Sequence, residues 1–263
     1  MKLSARVRGF AGLLAEGILT AEGIAPWGAD QKGPADVQRP QVYEKPHTGF
    51  GKLQPIDKIA FGVASLACRQ AGDYDGHSTG ICLGSAFGSF STDMRYMESV
   101  LSGFPRPAYF SATLPSSPVA EIAILLGLKG ANRVFVDSRV PGLTALEAGL
   151  RTLQHGTAEN MIVVMVRALH EKDAGFAGHV TFPQGSTGGA LFLSRSADPT
   201  NSSPSICLEG EYRGIERPVE HEERYFDDIL KALMGAKNTT ITIDTIPFKG
   251  AVTVQRGNHG KAH

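Results

Sequence analysis

The spacing of apolar residues predicts four helices along the chain. From Pro55 to Gly72, apolar side chains recur every three or four residues, the period of an amphipathic helix. Proline suits a first helical turn, and glycine suits the end of a helix. The same spacing predicts helices over Ser91 to Ser102, Pro118 to Leu126 and Pro141 to His155.

Short apolar runs bounded by glycine or polar residues predict the strands. They cover Ala5 to Leu14, Thr79 to Ser85, Arg133 to Asp137, Asn160 to Val166, Gly188 to Ser194 and Ser205 to Tyr212. The near-continuous run Asn160 to Val166 is typical of a strand buried on both faces. Because only a short polar segment separates the last two strands, we expect them to form an antiparallel pair.

The order of these elements predicts the fold class. Strands alternate with helices, which indicates an α/β sheet with helices on its faces. Farther along, Glu222 to Met234 has the pattern of an amphipathic helix, and Thr239 to Asp244 alternates as a strand does. The last residues, from Arg256, are polar and are expected to be frayed.

Composition narrows the class of protein. The chain has 263 residues, 26 basic and 26 acidic side chains, and 42% hydrophobic residues. This length and apolar content allow one domain, or two small ones, with a real core. The balanced charge argues against a protein that binds nucleic acid by tracking phosphates. No run approaches 18 apolar residues, and Glu16 interrupts the first apolar segment, so neither a membrane span nor a signal peptide is predicted.

Cysteine and histidine positions favour no metal or cofactor. The three cysteines, Cys68, Cys82 and Cys207, form no CxxC pair, and a reducing cytoplasm is the expected compartment. Cys82 lies in the middle of a predicted strand and is interpreted as an inert core thiol. His170 and His179 are nine residues apart with no third ligand nearby, which makes a poor metal site. No nucleophile elbow, Walker loop or dinucleotide fingerprint is present, so no cofactor is predicted.

Several strings occur in the order and spacing of a known family. Residues 50–213 resemble the N-terminal half of a β-ketoacyl synthase, a member of the thiolase-like superfamily. The strings are Asp57-Lys-Ile-Ala60, Gly80-Ile-Cys-Leu-Gly-Ser-Ala-Phe-Gly88, Tyr109-Phe-Ser-Ala-Thr-Leu-Pro-Ser116, Ile122-Ala-Ile-Leu-Leu-Gly-Leu-Lys-Gly130, Ala145-Leu-Glu-Ala-Gly149, His155-Gly-Thr-Ala158 and Gly185-Ser-Thr-Gly-Gly-Ala-Leu-Phe-Leu193.

The resemblance implies an α/β fold and one domain. The fold would be a thiolase-like half, a βαβαβαββ-type mixed sheet with helices on both faces, lacking the second half of a full condensing enzyme. Residues 1–263 would form a single domain, with 50–213 as its core and 214–263 as a short C-terminal extension.

The resemblance breaks at the catalytic positions. In that family a nucleophilic cysteine begins the helix after the strand at Arg133 to Asp137, and aligning the helix places Arg139 there. Arginine cannot be acylated and stays protonated in proteins. A slip of one residue gives Ser138 or Val140, and neither is a thiol. Arg139 is then either the lost catalytic position, with Asp137 as a candidate partner, or an exposed turn residue.

No catalytic residue is predicted in this chain, because the family's two catalytic histidines belong to the half that is missing here. His155-Gly-Thr157 imitates one of their strings, but it follows a helix directly and is interpreted as a helix C-cap.

A synthase half without its nucleophile resembles a chain-length factor, here the short type of aryl-polyene and other type II polyketide-like or fatty-acid-like systems. The resemblance implies a non-catalytic, cytoplasmic subunit paired with a full-length ketosynthase, as a heterodimer or α₂β₂, which meets an acyl-carrier protein through that complex. Five residues would line the acyl tunnel or cross the dimer interface: Phe87, Tyr109, Phe110, Thr113 and Leu114. Plain core or interface packing is the alternative for the same residues.

Two other functions stay open. The first is a stand-alone acyl hydrolase or acyltransferase, with Ser138 or Cys82 as nucleophile and His155 or His170 as base. The second is a thiolase-like homodimer that only binds an acyl ligand or an acyl-carrier protein.

Overall fold

The computed structural model describes residues 2–136, 141–169, 187–195, 204–212, 223–235, 237–244 and 248–255. The strands in this part of the chain are β1 (Lys2–Leu14), β2 (Gly17–Thr20), β3 (Gly23–Pro26), β4 (Thr79–Ser85), β5 (Asn132–Val136), β6 (Asn160–Arg167), β7 (Thr187–Ser194), β8 (Ser205–Tyr212), β9 (Thr239–Asp244) and β10 (Phe248–Gln255). The helices are α1 (Arg39–Val42), α2 (Pro55–Ala71), α3 (Phe90–Leu101), α4 (Pro107–Phe110), α5 (Ser117–Leu126), α6 (Pro141–Gln154) and α7 (Glu223–Met234).

All the described strands join one mixed sheet. Its order is β5-β4-β6-β7-β1-β8-β10-β9, and β2 and β3 form a hairpin attached to β1. The pairs β4–β5 and β4–β6 are parallel, whereas the other described pairs are antiparallel. The parallel part therefore lies at one end of the sheet, and the chain's first strand lies near its middle.

The expected antiparallel pair of β7 and β8 is wrong. β1 lies between them, and Arg6 is opposite Ser194 of β7 on one side and Ser205 of β8 on the other. The physical reason is that β1 is long and buried along most of its length, with apolar residues facing both layers. Such a strand belongs inside a sheet, where both of its edges are paired.

Helices cover both faces of the sheet, as the fold class predicts. On one face, α2 and α5 pack on Ile162, Val164 and their neighbours. On the other face, α6 and α7 pack on Met161, Val163 and their neighbours. Alternate residues of β6 thus enter opposite cores, which follows from the two-residue period of a strand.

Most predicted elements are confirmed to within a few residues. β4 has the predicted bounds, and α2 begins at Pro55 and is capped by Gly72, which has a positive φ of 74°. The β2–β3 hairpin and β10 were not predicted. β10 pairs with β8, and its Val252 and Val254 are fully buried. Part of the segment after residue 214 therefore belongs to the main sheet.

In the ranges given above, none of the helices has both the length and the apolar character needed to cross a bilayer.

Candidate functional site

The carboxyl ends of the three parallel strands meet at one edge of the sheet. β4 ends at Ser85, β5 at Val136 and β6 at Arg167. In sheets of this kind, ligands bind in the crevice outside these strand ends. This edge of the sheet is therefore a candidate ligand site.

The first turn of α6 packs tightly against this edge. A Cβ atom added to Gly84 would lie 2.1 Å from the Pro141 carbonyl oxygen. One on Gly142 would lie 3.1 Å from the Met165 sulfur. Glycine at position 84 lets the helix start approach the end of β4 closely, so the start of α6 is held at the edge.

The nucleophile position predicted from the sequence lies outside the described residues. Residues 137–140 connect β5 to α6 and include Arg139, its candidate partner Asp137 and the alternative nucleophile Ser138. Their sequence contains no cysteine. The three cysteines of the chain lie instead on α2, β4 and β8.

Cys82 does not have the properties of a nucleophile. It is fully buried in β4, and this burial raises the pKa of its thiol to about 12. Thiols attack as thiolates, and a thiolate is rare this far below the pKa. The interpretation as a core thiol agrees with this, and the described residues give no support to an acyl-enzyme on Cys82.

His155 caps α6, as the sequence predicts. The N–H groups of Gly156 and Thr157 donate to the carbonyls of Leu153 and Thr152, and Gly156 has a φ of 71°. This pair of bonds is the Schellman motif. The 14 residues of α6 span about 21 Å. His155 follows the last of them, so it lies at the opposite end of α6 from the helix start that packs on Gly84.

The other candidate histidines, His170 and His179, lie outside the described residues. Across the part of the chain that is described, no group of three or more histidine, cysteine, aspartate or glutamate side chains is placed to hold a metal ion.

Two of the five predicted tunnel residues lie next to the sheet edge. Phe87 is half-buried in the turn after β4, where its carbonyl accepts the Phe90 N–H. The hydroxyl of Ser89 in this turn donates to the carbonyl of Thr113, which is also half-buried. This hydrogen bond joins the segment after β4 to the segment that begins with α4.

The other three lie farther out. The ring of Phe110 packs on Tyr96 of α3 at 5.4 Å between centroids, and Tyr109 lies under the Arg106 guanidinium at 5.8 Å. Phe110 and Leu114 are 61% and 62% exposed. The structure thus places Phe87 and Thr113 on two segments that a hydrogen bond joins, and the other three on α4 or just after it.

Exposed apolar side chains also occur on α3, α4 and α5, at the end of β5 and in the segments that flank α4. They are Met97, Val100, Leu101, Phe104, Phe110, Leu114, Ile124 and Val136. Isolated exposed apolar residues are common, but eight of them between residues 97 and 136 make these elements a candidate interaction surface.

A cavity beside this surface contains residues that the sequence did not single out. It has a volume of about 530 Å³ and lies between the start of α2, α4 and α5. Asp57, on its wall, is buried, and this burial raises the pKa of its carboxyl to about 6. The sequence signal was the spacing of Gln54 and Asp57 around Pro55, which is typical of a capping pair at a helix start. That signal does not show that the acid is buried.

Comparison with known proteins defines the class of fold. No protein-family model and no curated protein matches the sequence. Solved structures do match, and ketosynthase and chain-length-factor structures are among them. The chain therefore has the mixed α/β fold of these structures.

Three of these structures illustrate the match. The ishigamide ketosynthase/chain length factor is 16% identical at a TM-score of 0.62, over 80% of this chain and 67% of that one. The ketosynthase ApeO in complex with its chain length factor ApeC from Xenorhabdus doucetiae is 11% identical at a TM-score of 0.68. This match covers 97% of this chain and 100% of that one. The type II polyketide synthase complex AntDE:AntF, an acyl-carrier protein with its ketosynthase bound to the hexaketide, is 12% identical at a TM-score of 0.69, again over 97% of this chain and 100% of that one.

Proposed function

We propose that this chain is a non-catalytic subunit of the chain-length-factor kind, which pairs with a full-length ketosynthase and shapes the tunnel for its growing acyl chain. One observation carries the proposal: a ketosynthase-like fold whose junction between β5 and α6 has the sequence Asp-Ser-Arg-Val, without cysteine. A condensing enzyme needs an acylated thiol at that junction. A partner that carries it would supply the chemistry.

The free edge of the sheet supports a protein partner. β5 is the end strand in the sheet order, and within the described residues nothing pairs with its outer side. Unpaired strand edges bind other strands readily. Of the exposed apolar side chains described above, Val136 lies at the end of β5, and Ile124 lies on α5, which contacts β5. A second chain that paired with β5 and covered these side chains would satisfy the free strand edge and bury the exposed apolar groups.

Under this proposal the partner is a ketosynthase, in a heterodimer or an α₂β₂ assembly, and an acyl-carrier protein reaches the chain through that complex. Among the matching structures, ApeO is a ketosynthase in complex with its chain length factor, and AntDE:AntF is an acyl-carrier protein in complex with its ketosynthase. Phe87, Tyr109, Phe110, Thr113 and Leu114 would line the tunnel or the interface that closes it. All five side chains are half-buried or exposed, which leaves them accessible for these roles.

Co-expression tests the pairing directly. We expect the chain to co-elute with a full-length ketosynthase from the same genome, with a mass equal to a heterodimer or its double in size-exclusion light scattering. A permanent complex of this kind buries more than about 2,000 Å². Expressed alone, the chain should aggregate or self-associate through its exposed apolar surface. A monomeric chain that ignores the ketosynthase would exclude the proposal.

Phe110→Ala tests the tunnel role. The exposed ring of Phe110 is large, and its removal opens space on the surface proposed to meet the partner. We expect the complex to make longer products, measured by mass spectrometry of the released chains.

Ile24→Ala is the control for this test. Ile24 is 40% exposed and lies on β3, outside the apolar surface described above, so its loss should leave product length unchanged. Unchanged length with Phe110→Ala in an intact complex would remove Phe110 from the tunnel, although the pairing would stand.

A further inference from the structure

The cavity beside the apolar surface has acidic walls. Asp57 and Glu121 both line it, and the charge of Glu121 further raises the pKa of the Asp57 carboxyl, after the larger effect of burial. Lys52 lines the cavity as well, but among the described ion pairs none joins it to either acid. Arg95 lies close by, and it donates to the Gln54 side chain.

Buried polar atoms in this wall lack partners. Asp57 is only 2% exposed, and its Oδ2 accepts the Gln54 N–H at 3.3 Å. The Ser117 side chain also lies near this carboxyl and lowers its pKa, but the Oδ1 atom has no hydrogen-bond partner within 3.5 Å among the described residues. His47 lines the same cavity, and its Nε2 is also buried without a partner in that part of the chain. Buried polar atoms are nearly always hydrogen-bonded in native proteins. A group from outside that entered the cavity could supply the hydrogen bonds that these two atoms lack.

The type of group follows from the acceptors. Two carboxylates attract a cation, and at neutral pH Asp57 is ionised in spite of its raised pKa. A neutral imidazole nitrogen can also accept a hydrogen bond. Guanidinium carries five N–H donors in a rigid fork, so it can serve several acceptors at once, whereas an ammonium is a single point of charge.

The rim of the cavity suits the rest of an arginine side chain. Leu114 and Ile124 line the cavity and are 62% and 76% exposed, so they belong to the apolar surface as well. The aliphatic stem of arginine packs along such residues while its head reaches a polar site. Arginine is also enriched at protein interfaces. The occupant is therefore expected to come from the chain that covers this surface.

We propose that an arginine side chain of the ketosynthase partner enters this cavity, where its guanidinium binds Asp57 and Glu121 and its stem packs on Leu114 and Ile124. This inference rests on the proposed function, because that function supplies the partner. It adds a specific anchor point to the interface, at a position where a charge is enclosed by apolar contacts.

Glu121→Gln is the main test, because Glu121 is only half-buried on α5 and takes no part in capping α2. The dissociation constant is measured on the purified, co-expressed complex by serial dilution, with the fraction of intact complex followed by analytical ultracentrifugation. We expect the dissociation constant to rise at least about tenfold, since a buried charge loses its partner. Asp57→Asn, which keeps an oxygen for the Gln54 N–H, should have a similar effect. Circular dichroism melting curves verify that each variant folds.

Glu22→Gln is the matched control. It removes the same charge from an exposed turn between β2 and β3, outside the cavity, and should change the dissociation constant by less than about twofold. Wild-type affinity in a folded Glu121→Gln chain would overturn the arginine site and leave the pairing intact. Failure of the unaltered chain to bind the ketosynthase would overturn the pairing itself, and the arginine site with it.

Discussion

Gly84→Ala is expected to lower the free energy of unfolding by about 3 kcal/mol. The new methyl group would lie 2.1 Å from the carbonyl oxygen of Pro141 and 2.4 Å from its carbonyl carbon. Real contacts of this kind are never so short, and both atoms belong to the backbone, so no side-chain rotation relieves the clash. The start of α6 must therefore move away from the end of β4. Urea denaturation followed by circular dichroism measures the loss.

Gly51→Ala is the control for this prediction. Gly51 has no heavy atom within 4 Å of an added Cβ, so the methyl group enters open space. We expect a change of less than about 0.5 kcal/mol, as for most surface substitutions. Equal stability of Gly84→Ala and the unaltered chain would show that α6 is not held against β4. The geometry of the sheet edge described above would then need revision.

The parallel half of the sheet could be predicted from the sequence because its signals are local. Thr79 to Ser85 is an apolar run bounded by polar residues, and the helix from Pro55 has a proline at its start and a glycine at its end. The position of β1 could not be predicted in this way. Neighbouring strands along a chain usually pair with each other, and this rule joined β7 to β8. Nothing local in either strand shows that a segment from the far end of the chain separates them.

In the candidate site, too, some residues have a local sequence signal and others do not. Phe87, Tyr109 and Phe110 were proposed as site residues because they belong to strings that resemble a known family. Asp57 was part of such a string too, but its chemistry was missed. An acid in the first turn of a helix is normally exposed there. Its burial depends on α5, which lies some 60 residues later in the sequence and packs on α2. Only the tertiary structure reveals a buried acid at that position.

The buried carboxyl of Asp57 should give the chain an unusual dependence of stability on pH. Burial raises the pKa of this group from 3.8 to about 6. In the unfolded chain it ionises near pH 4, while in the folded chain it keeps its proton until about pH 6. Between these pH values, the Asp57 carboxyl is ionised in the unfolded chain and still protonated in the folded chain. The contribution of Asp57 is therefore full below pH 4 and is lost as the pH rises to 6, by about 3 kcal/mol in total.

Asp57→Asn isolates this contribution, because asparagine is neutral throughout and still offers an oxygen to the Gln54 N–H. Unfolding free energies of variant and unaltered chain are measured in urea at pH 4 and pH 7. We expect the difference, variant minus unaltered, to rise by about 2 kcal/mol between the two pH values, because the unfolded carboxyl is already partly ionised at pH 4. The absolute effect of losing the carboxylate drops out of this comparison.

Asp75→Asn provides a control of opposite sign. Hydrogen bonds from the His77 N–H and the Ser78 hydroxyl lower the pKa of the exposed Asp75 carboxyl. That group stabilises the folded chain above its unfolded pKa, and the benefit is lost as the pH falls. Its variant should therefore change the slope in the direction opposite to that of Asp57→Asn.

A variant-minus-unaltered difference for Asp57→Asn that stays constant from pH 4 to pH 7 would mean that Asp57 ionises normally, and hence that water reaches it freely. The cavity would then lack the buried acid on which a bound guanidinium depends.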